Sequence, residues 1–206
     1  MRDHHGTEHF GRKLALMAAA VTVGAAASGD HPLYAPARDV VVVYRVTSDT
    51  ATGGAPVPRP DRMTFAYSGQ SGRMRLDTGE DTYTIIDRGA DRLYLVSPAR
   101  RTVWVQRAIS SGTPEFLMRD GATYIWAGSA TIAGLPCTVW RIRGDGREAT
   151  GCVTPDGVVT RYVTDGAGLT QTSVEAISVV YETTPAARFE PPPGYQGLEI
   201  PPPARR

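Results

Sequence analysis

Thr131 to Val163, TIAGLPCTVWRIRGDGREATGCVTPDGVVTRYV, divides into three short strands joined by two turns, Arg143-Gly144-Asp145-Gly146 and Thr154-Pro155-Asp156-Gly157. Glycine, aspartate and proline supply the backbone angles such turns require. With the first turn centred between Gly144 and Asp145, Cys137 faces Cys152, Val139 faces Thr150 and Arg141 faces Glu148. One register therefore offers a disulfide, Cys137–Cys152, and an ion pair on the same face. Trp140 and Ile142, with Ala149 and Val153, fall on the other face, which the alternation marks as buried. Closing so short a loop by a disulfide is worth roughly 3 kcal/mol in the chain-entropy picture.

Upstream of this unit lie five further strand-like segments, 62–68, 73–78, 82–87, 92–96 and 101–106, separated by turns rich in Gly, Ser, Pro and Asp. One face can be threaded through all five. Tyr67 is then opposite Met74, Leu76 opposite Tyr83, Ile85 opposite Leu93, and Leu95 opposite Val103. That face consists of Met63, Phe65, Tyr67, Met74, Leu76, Tyr83, Ile85, Leu93, Leu95, Val103 and Val105, with no charge among them. It is the candidate surface for a hydrophobic ligand. The reverse face carries Arg62, Thr64, Arg73, Arg75, Asp77, Thr84, Arg92, Thr102 and Gln106 and is expected to be wet, with Ile86, Tyr94, Val96 and Trp104 as exceptions. A meander of this kind is an antiparallel sheet with one dry side.

The remaining segments frame the sheet. Val40 to Thr47 is a β-branched run whose continuous apolarity fits a strand buried on both faces. Asp49 to Asp61 is a Gly/Pro loop, mobile or forming a lip. Thr113 to Gly121 has helix punctuation, with Thr113 as N-cap, Pro114 at the first turn and Gly121 past the end. Its Phe116, Leu117 and Met118 would cover the dry face as a short lid. Ser173 to Glu182 is a last strand. Phe189 to Tyr195, with three consecutive prolines, is rigid and extended.

The N-terminus is separate from this domain. Arg12 and Lys13 precede an apolar run from Leu14, and Ala25-Ala26-Ala27 offers a small-residue cleavage site. Residues 1–27 are thus expected to be a cleavable signal peptide, too short for a comfortable membrane span. A flexible lead-in at 28–38, a β domain at 39–200 and a disordered tail at 201–206 follow. No cysteine stands near the cleavage site, so no lipid anchor is expected there, and the expected location is periplasmic or secreted. Export also gives the cysteine pair its meaning, because disulfides persist in oxidising compartments. Without residues 1–27 the chain is formally neutral and every base is arginine. Interspersed charge of both signs argues against a nucleic-acid partner.

All four histidines lie at or before position 31. The domain therefore lacks the parts of a Ser-His-Asp triad, a Cys-His dyad or a histidine-rich zinc site, and no metal, cofactor or catalytic residue is expected. Other motifs have plain explanations. Arg143-Gly144-Asp145 is a turn. The acidic group Asp77, Glu80, Asp81 and Asp87 lacks the spacing of a calcium loop. Ser110-Ser111-Gly112 has no base to activate it.

Thr131-Ile-Ala-Gly-Leu-Pro-Cys137, Trp140, Gly151-Cys152-Val153-Thr154-Pro155-Asp156-Gly157 and Arg188-Phe189 with Pro193-Gly194-Tyr195 resemble a bacterial family of exported proteins of unknown function. That family is similar to the LolA/LolB lipoprotein-carrier superfamily, and the resemblance spans about residues 38 to 200. It implies a mainly β fold, an unclosed β-barrel formed by a strongly curved antiparallel sheet, with short helices over its hollow. Carriers of that superfamily shelter acyl chains in the hollow. The function so implied is a monomeric, non-enzymatic periplasmic binding or carrier protein for a lipid acyl chain or other hydrophobic ligand. The alternative is an envelope interaction module that binds a protein through Trp104, Tyr94 and Ile86.

Overall fold

The computed structural model describes residues 30–49, 61–79, 81–108, 116–118, 120–144, 146–164 and 171–200. The expected signal peptide, most of the 49–61 loop, Ser110-Ser111-Gly112, the start of the expected lid helix and the 201–206 tail lie outside these residues.

The strands are β1 (Val40–Asp49), β2 (Arg62–Tyr67), β3 (Met74–Asp77), β4 (Tyr83–Asp87), β5 (Arg92–Ser97) and β6 (Thr102–Gln106), followed by β7 (Thr123–Ile132), β8 (Leu135–Gly144), β9 (Arg147–Val153), β10 (Val159–Thr164), β11 (Gln171–Val180) and β12 (Gln196–Glu199). Among the described residues they form one twelve-stranded sheet, ordered β12-β6-β5-β4-β3-β2-β1-β11-β10-β9-β8-β7. Every pairing is antiparallel except β12 with β6. β7 approaches β11 although three strands separate them in the order. A flat sheet would hold those two roughly 19 Å apart, so this half is strongly curled. The edges β7 and β12 do not pair with each other, and the barrel is unclosed.

In the β8–β9 hairpin, Gly144 lies opposite Arg147, so the turn is centred one residue later than the sequence suggests. Moving the centre by one residue shifts each pairing by two, which preserves the faces. Trp140, Ile142, Ala149 and Val153 are buried together as expected. Cys152 sits opposite Val139, and Cys137 reaches it diagonally in a disulfide with Cα atoms 5.5 Å apart. The ion pair joins Arg143, not Arg141, to Glu148 at 2.8 Å. β7 and β8 are joined by Ala133 and Gly134, with φ of 51° and 77°. Two left-handed residues in succession make the hairpin turn whose twist matches that of its strands.

The meander departs further from expectation. Tyr67 pairs with Met74 as anticipated. Leu76, however, pairs with Thr84 and not Tyr83; Leu93 pairs with Ile86 and not Ile85; and Leu95 pairs with Trp104 and not Val103. Each is a slip of one residue, and each turns the following strand over. β4 is inverted, β5 is restored by the second slip, and β6 is inverted again. The β4–β5 and β5–β6 loops each hold four residues and end on a left-handed residue, Asp91 or Arg101, both at φ 50°. In the first loop the Ala90 amide donates to Asp87 Oδ1 at 2.9 Å.

Those inversions give the β4–β6 part of the meander apolar side chains on both sides. Its outer face holds Ile85, Val96 and Val103 with Tyr83, Tyr94 and Val105, covered by Tyr195. The C-terminal segment supplies the cover. A 3₁₀ turn, Ala186–Phe189, lies by β3 with Phe189 buried. Arg75 stacks 3.5 Å over the Tyr83 ring, grips Asp77 at 2.8 Å and donates to the Arg188 carbonyl at 3.3 Å. The parallel strand β12 then seals β6, with Arg92 bridging to Glu199 at 3.1 Å.

Candidate functional site

The inner face gathers Val40, Val42 and Tyr44 of β1, Met63, Phe65 and Tyr67 of β2, Met74 and Leu76 of β3, Ile86, Leu93, and Val174 and Ala176 of β11. Leu95 is directed the same way by its pairing with Thr84. Of the eleven residues expected to share a face, Met63, Phe65, Tyr67, Met74, Leu76, Leu93 and Leu95 do so. Tyr83, Ile85, Val103 and Val105 lie on the outer face, turned over by the register slips. Val40, Val42 and Tyr44 take inner positions outside the 62–106 threading, and Ile86 takes the inner position expected for Ile85. Tyr44 is fully buried: its hydroxyl donates to the Val159 carbonyl at 2.6 Å, and burial pushes the phenol's pKa up.

The patch anticipated for a protein partner does not form. Ile86 is fully buried on the inner face, and Tyr94 and Trp104 lie on opposite faces of the sheet.

Two short irregular segments close the hollow. Phe116, Leu117 and Met118 form the first; they make a turn and not the helix expected over 113–121. Phe116 packs on Tyr44 and Phe65 with ring centroids 5.6 and 6.3 Å apart. The second is the lead-in. Residues 30–38, expected to be flexible, cross the hollow at Tyr34, Ala35 and Pro36. Tyr34 stacks on His31 at 4.9 Å and tilts against Tyr124 at 6.1 Å. Between these segments and Tyr44, Phe65 and Val159 about 10 Å³ remains, room for roughly one water. At this point the described side chains fill the hollow.

What fastens the closing segments is polar and sparse. Arg88, the residue after β4, donates to the Tyr34 carbonyl at 3.1 Å and the Met118 carbonyl at 3.4 Å, tying both pieces to the rim. At the other end Asp156 accepts from the Thr154 hydroxyl at 2.6 Å, the Tyr181 hydroxyl at 3.2 Å and Arg38 Nε at 3.2 Å. Its carbonyl accepts from the Ala37 amide at 2.8 Å. Burial alone would raise the Asp156 pKa, but the three side-chain donors outweigh it and hold the carboxyl below its ordinary range. Gly157 permits the close approach: a Cβ there would stand 2.4 Å from the Ala35 carbonyl oxygen. In the sequence Asp156 and Gly157 stand in a turn and in the family motif, and Arg88 lies between two strand segments. Their roles depend on chain segments far away, and no local pattern announces them.

The disulfide lies on the outer face, with Ile132 beside it and Ala130 and Val139 packed around. Such a bridge fits an oxidising, extracytoplasmic compartment. Among the described residues, no helix is long and apolar enough to cross a membrane, and no group of three or more His, Cys, Asp or Glu is arranged to hold a metal.

No protein-family model matches the chain. No curated protein matches it by sequence. Solved structures do. An uncharacterized conserved protein from Thermus thermophilus superposes with TM-score 0.55 at 9% identity, covering 80% of this chain and 91% of that one. MucB follows with TM-score 0.48 at 11% identity, covering 79% of this chain, which spans only 60% of MucB. A LolA superfamily protein from Nitrosomonas europaea gives TM-score 0.44 at 9% identity over 75% of this chain and 91% of that one. The last two superpositions are too loose to bear on activity. The chain, a mainly β, unclosed sheet, is similar in form to the Thermus thermophilus protein, and the likeness extends to the fold alone.

Proposed function

We propose that this chain is a non-enzymatic binding protein of the periplasm that shelters an acyl chain, or another hydrophobic ligand, on the inner face of its sheet. The observation that supports this is the construction of the closure. Among the described residues the walls of the hollow are mainly hydrogen-bonded strand, whereas the inner face is shut by Tyr34–Pro36 and Phe116–Met118, irregular segments that Arg88 and Asp156 fasten. Such segments open at lower cost than a strand. A twelve-carbon chain entering in place of Leu117 and Met118 gains roughly 0.8 kcal/mol per buried methylene, about 10 kcal/mol gross. Exposing the two side chains costs about 1.5–3 kcal/mol each. The exchange is feasible with a margin for ordering the ligand. The absence of histidine beyond position 31 supports the non-enzymatic part.

Native mass spectrometry of protein purified without detergent, with titration of a fluorescent fatty acid, tests the proposal. Bound lipid or saturable fluorescence is expected. If no lipid co-purifies and no fatty acid binds, the carrier role is excluded.

A protein-binding role rests on another observation. The edge strand β7 has ten residues, none charged, and Trp126 on it is 64% exposed. Edges are usually blunted by charge, proline or cover. A photo-reactive residue at position 126 should capture one envelope protein if β7 accepts a strand; no discrete adduct would end that reading.

A further inference from the structure

Arg88 is partnered differently from Arg73, Arg75 and Arg161. Arg73 meets Asp87 at 2.8 Å, Arg75 meets Asp77 at 2.8 Å, and Arg161 meets Glu175. Among the described residues Arg88, half-buried at the rim of the apolar hollow, meets only the neutral carbonyls of Tyr34 and Met118. The side chains facing it are the uncharged phenols of Tyr67 and Tyr124, and no carboxylate among the described residues does so. Burial pulls its pKa down, yet a guanidinium stays protonated.

A half-buried cation without an anion is costly, and two carbonyls could be held as well by a neutral amide. The fork of an arginine is matched to carboxylate and phosphate, and its bond to an anion is roughly twice as strong as one to a neutral acceptor. We propose that the ligand of the hollow is an amphiphile with an anionic head, carboxylate or phosphate, and that Arg88 binds this head beside the Tyr67 hydroxyl while the alkyl chain runs inward toward Tyr44 and Phe65. The inference rests on the binding role above and adds the class of ligand. The head takes over the donors that hold Tyr34 and Met118, so the arrival of the head releases the segments that the chain displaces. Closure and recognition then compete for one side chain.

The test is displacement of the neutral probe N-phenyl-1-naphthylamine from the purified chain by four twelve-carbon competitors below their micellar concentrations: dodecanoate, dodecyl phosphate, dodecanol and dodecyltrimethylammonium. Dodecanoate or dodecyl phosphate should displace the probe at concentrations at least about tenfold below dodecanol, with the cation weakest; the tighter of the two anions names the head. Arg88→Gln should bring anion and alcohol within about twofold of each other, and Arg88→Lys should keep part of the preference. Looser closure in Arg88→Gln would move all four competitors together, so the ratio between them reports the head group alone. Equal displacement by dodecanol and the anions in the unaltered chain, or a preference that survives Arg88→Gln, overturns the head-group inference and leaves the hollow in place. Failure of all four competitors overturns the binding role itself.

Discussion

The meander β2–β6 and the stapled hairpin β8–β9 are both antiparallel, both apolar and both joined by short turns, yet they are buried differently. The hairpin buries Trp140, Ile142, Ala149 and Val153 on one side and leaves Arg141, Arg143 and Glu148 in water on the other. The meander buries Met63, Phe65, Met74 and Leu76 inside, and Ile85, Val96 and Val103 outside. Its outer cover is the C-terminal segment, more than eighty residues further along the chain. A strand with one wet face records its orientation in the alternation of its residues. A strand with two dry faces does not.

That contrast explains what the sequence could reveal. In the hairpin the charges fixed which side faced out, so a misplaced turn still left every face correct and both cysteines together. In β4, Ile85 and Ile86 are equally apolar, and nothing local chooses between them. The choice is made by loop length and by a cover that arrives from elsewhere. Seven of the eleven inner-face candidates were legible, those of β2, β3 and β5. Tyr83, Ile85, Val103 and Val105 were not, because Ile86 and Trp104 are apolar enough to take the inner face in their place, and Thr84 and Gln106 turn inward with them. Arg88 and Asp156 were illegible for another reason: a turn sequence does not say which distant segment will cross it.

The sharpest way to break the contrast is at Phe189. If the outer cover is as much a part of the meander as its inner core, Phe189→Ala should cost about 3–5 kcal/mol, the range for a buried aromatic, measured by urea denaturation. The side chain is 1% exposed. A cost below about 1 kcal/mol would mean that the meander stands without its outer layer.

Next in size is the staple. Cys137→Ser, or reduction, should cost about 2–4 kcal/mol. Affinity for a fluorescent fatty acid should be unchanged, because the bridge lies on the face away from the hollow. Parallel loss of stability and binding would show that the two faces of the hairpin are not independent.

A smaller effect separates the lead-in from both regions. At Gly157, φ is +87° and a Cβ would meet Ala35. Gly157→Ala should cost about 1–3 kcal/mol, the usual penalty for backbone forced into a sparse region. The Ala37 amide, bonded to Asp156 at 2.8 Å, should lose hydrogen-exchange protection while the amides of β3 and β4 retain theirs. Uniform loss of protection would mean that the lead-in is integral to the core and does not act as a separable cover.

The smallest expected effect concerns pH, and it compares one carboxylate from each region. Asp87 in the meander has its pKa held down, burial being outweighed by the Ala90 amide and Arg73; Asp156 is held down by Thr154, Tyr181 and Arg38 against the same penalty. For a group with a depressed folded-state pKa, stabilisation is complete above the unfolded value, about 3.9 for aspartate, and is lost as pH falls through the lower folded value. Both contributions are therefore constant across neutral and mildly acidic pH and disappear only below about pH 4. Loss of the Asp87 charge weakens Arg73 within a turn that the ladder still holds, whereas loss of the Asp156 charge removes the Arg38 contact that helps pin the lead-in. The NMR amide shift of Ala37 should accordingly move with a midpoint below about 3.9, at a pH where the shifts of β4 have changed less, and Asp156→Asn should abolish the transition at Ala37 alone. A midpoint above 4, or a transition that persists in Asp156→Asn, would place the acid-sensitive fastening elsewhere in the closure.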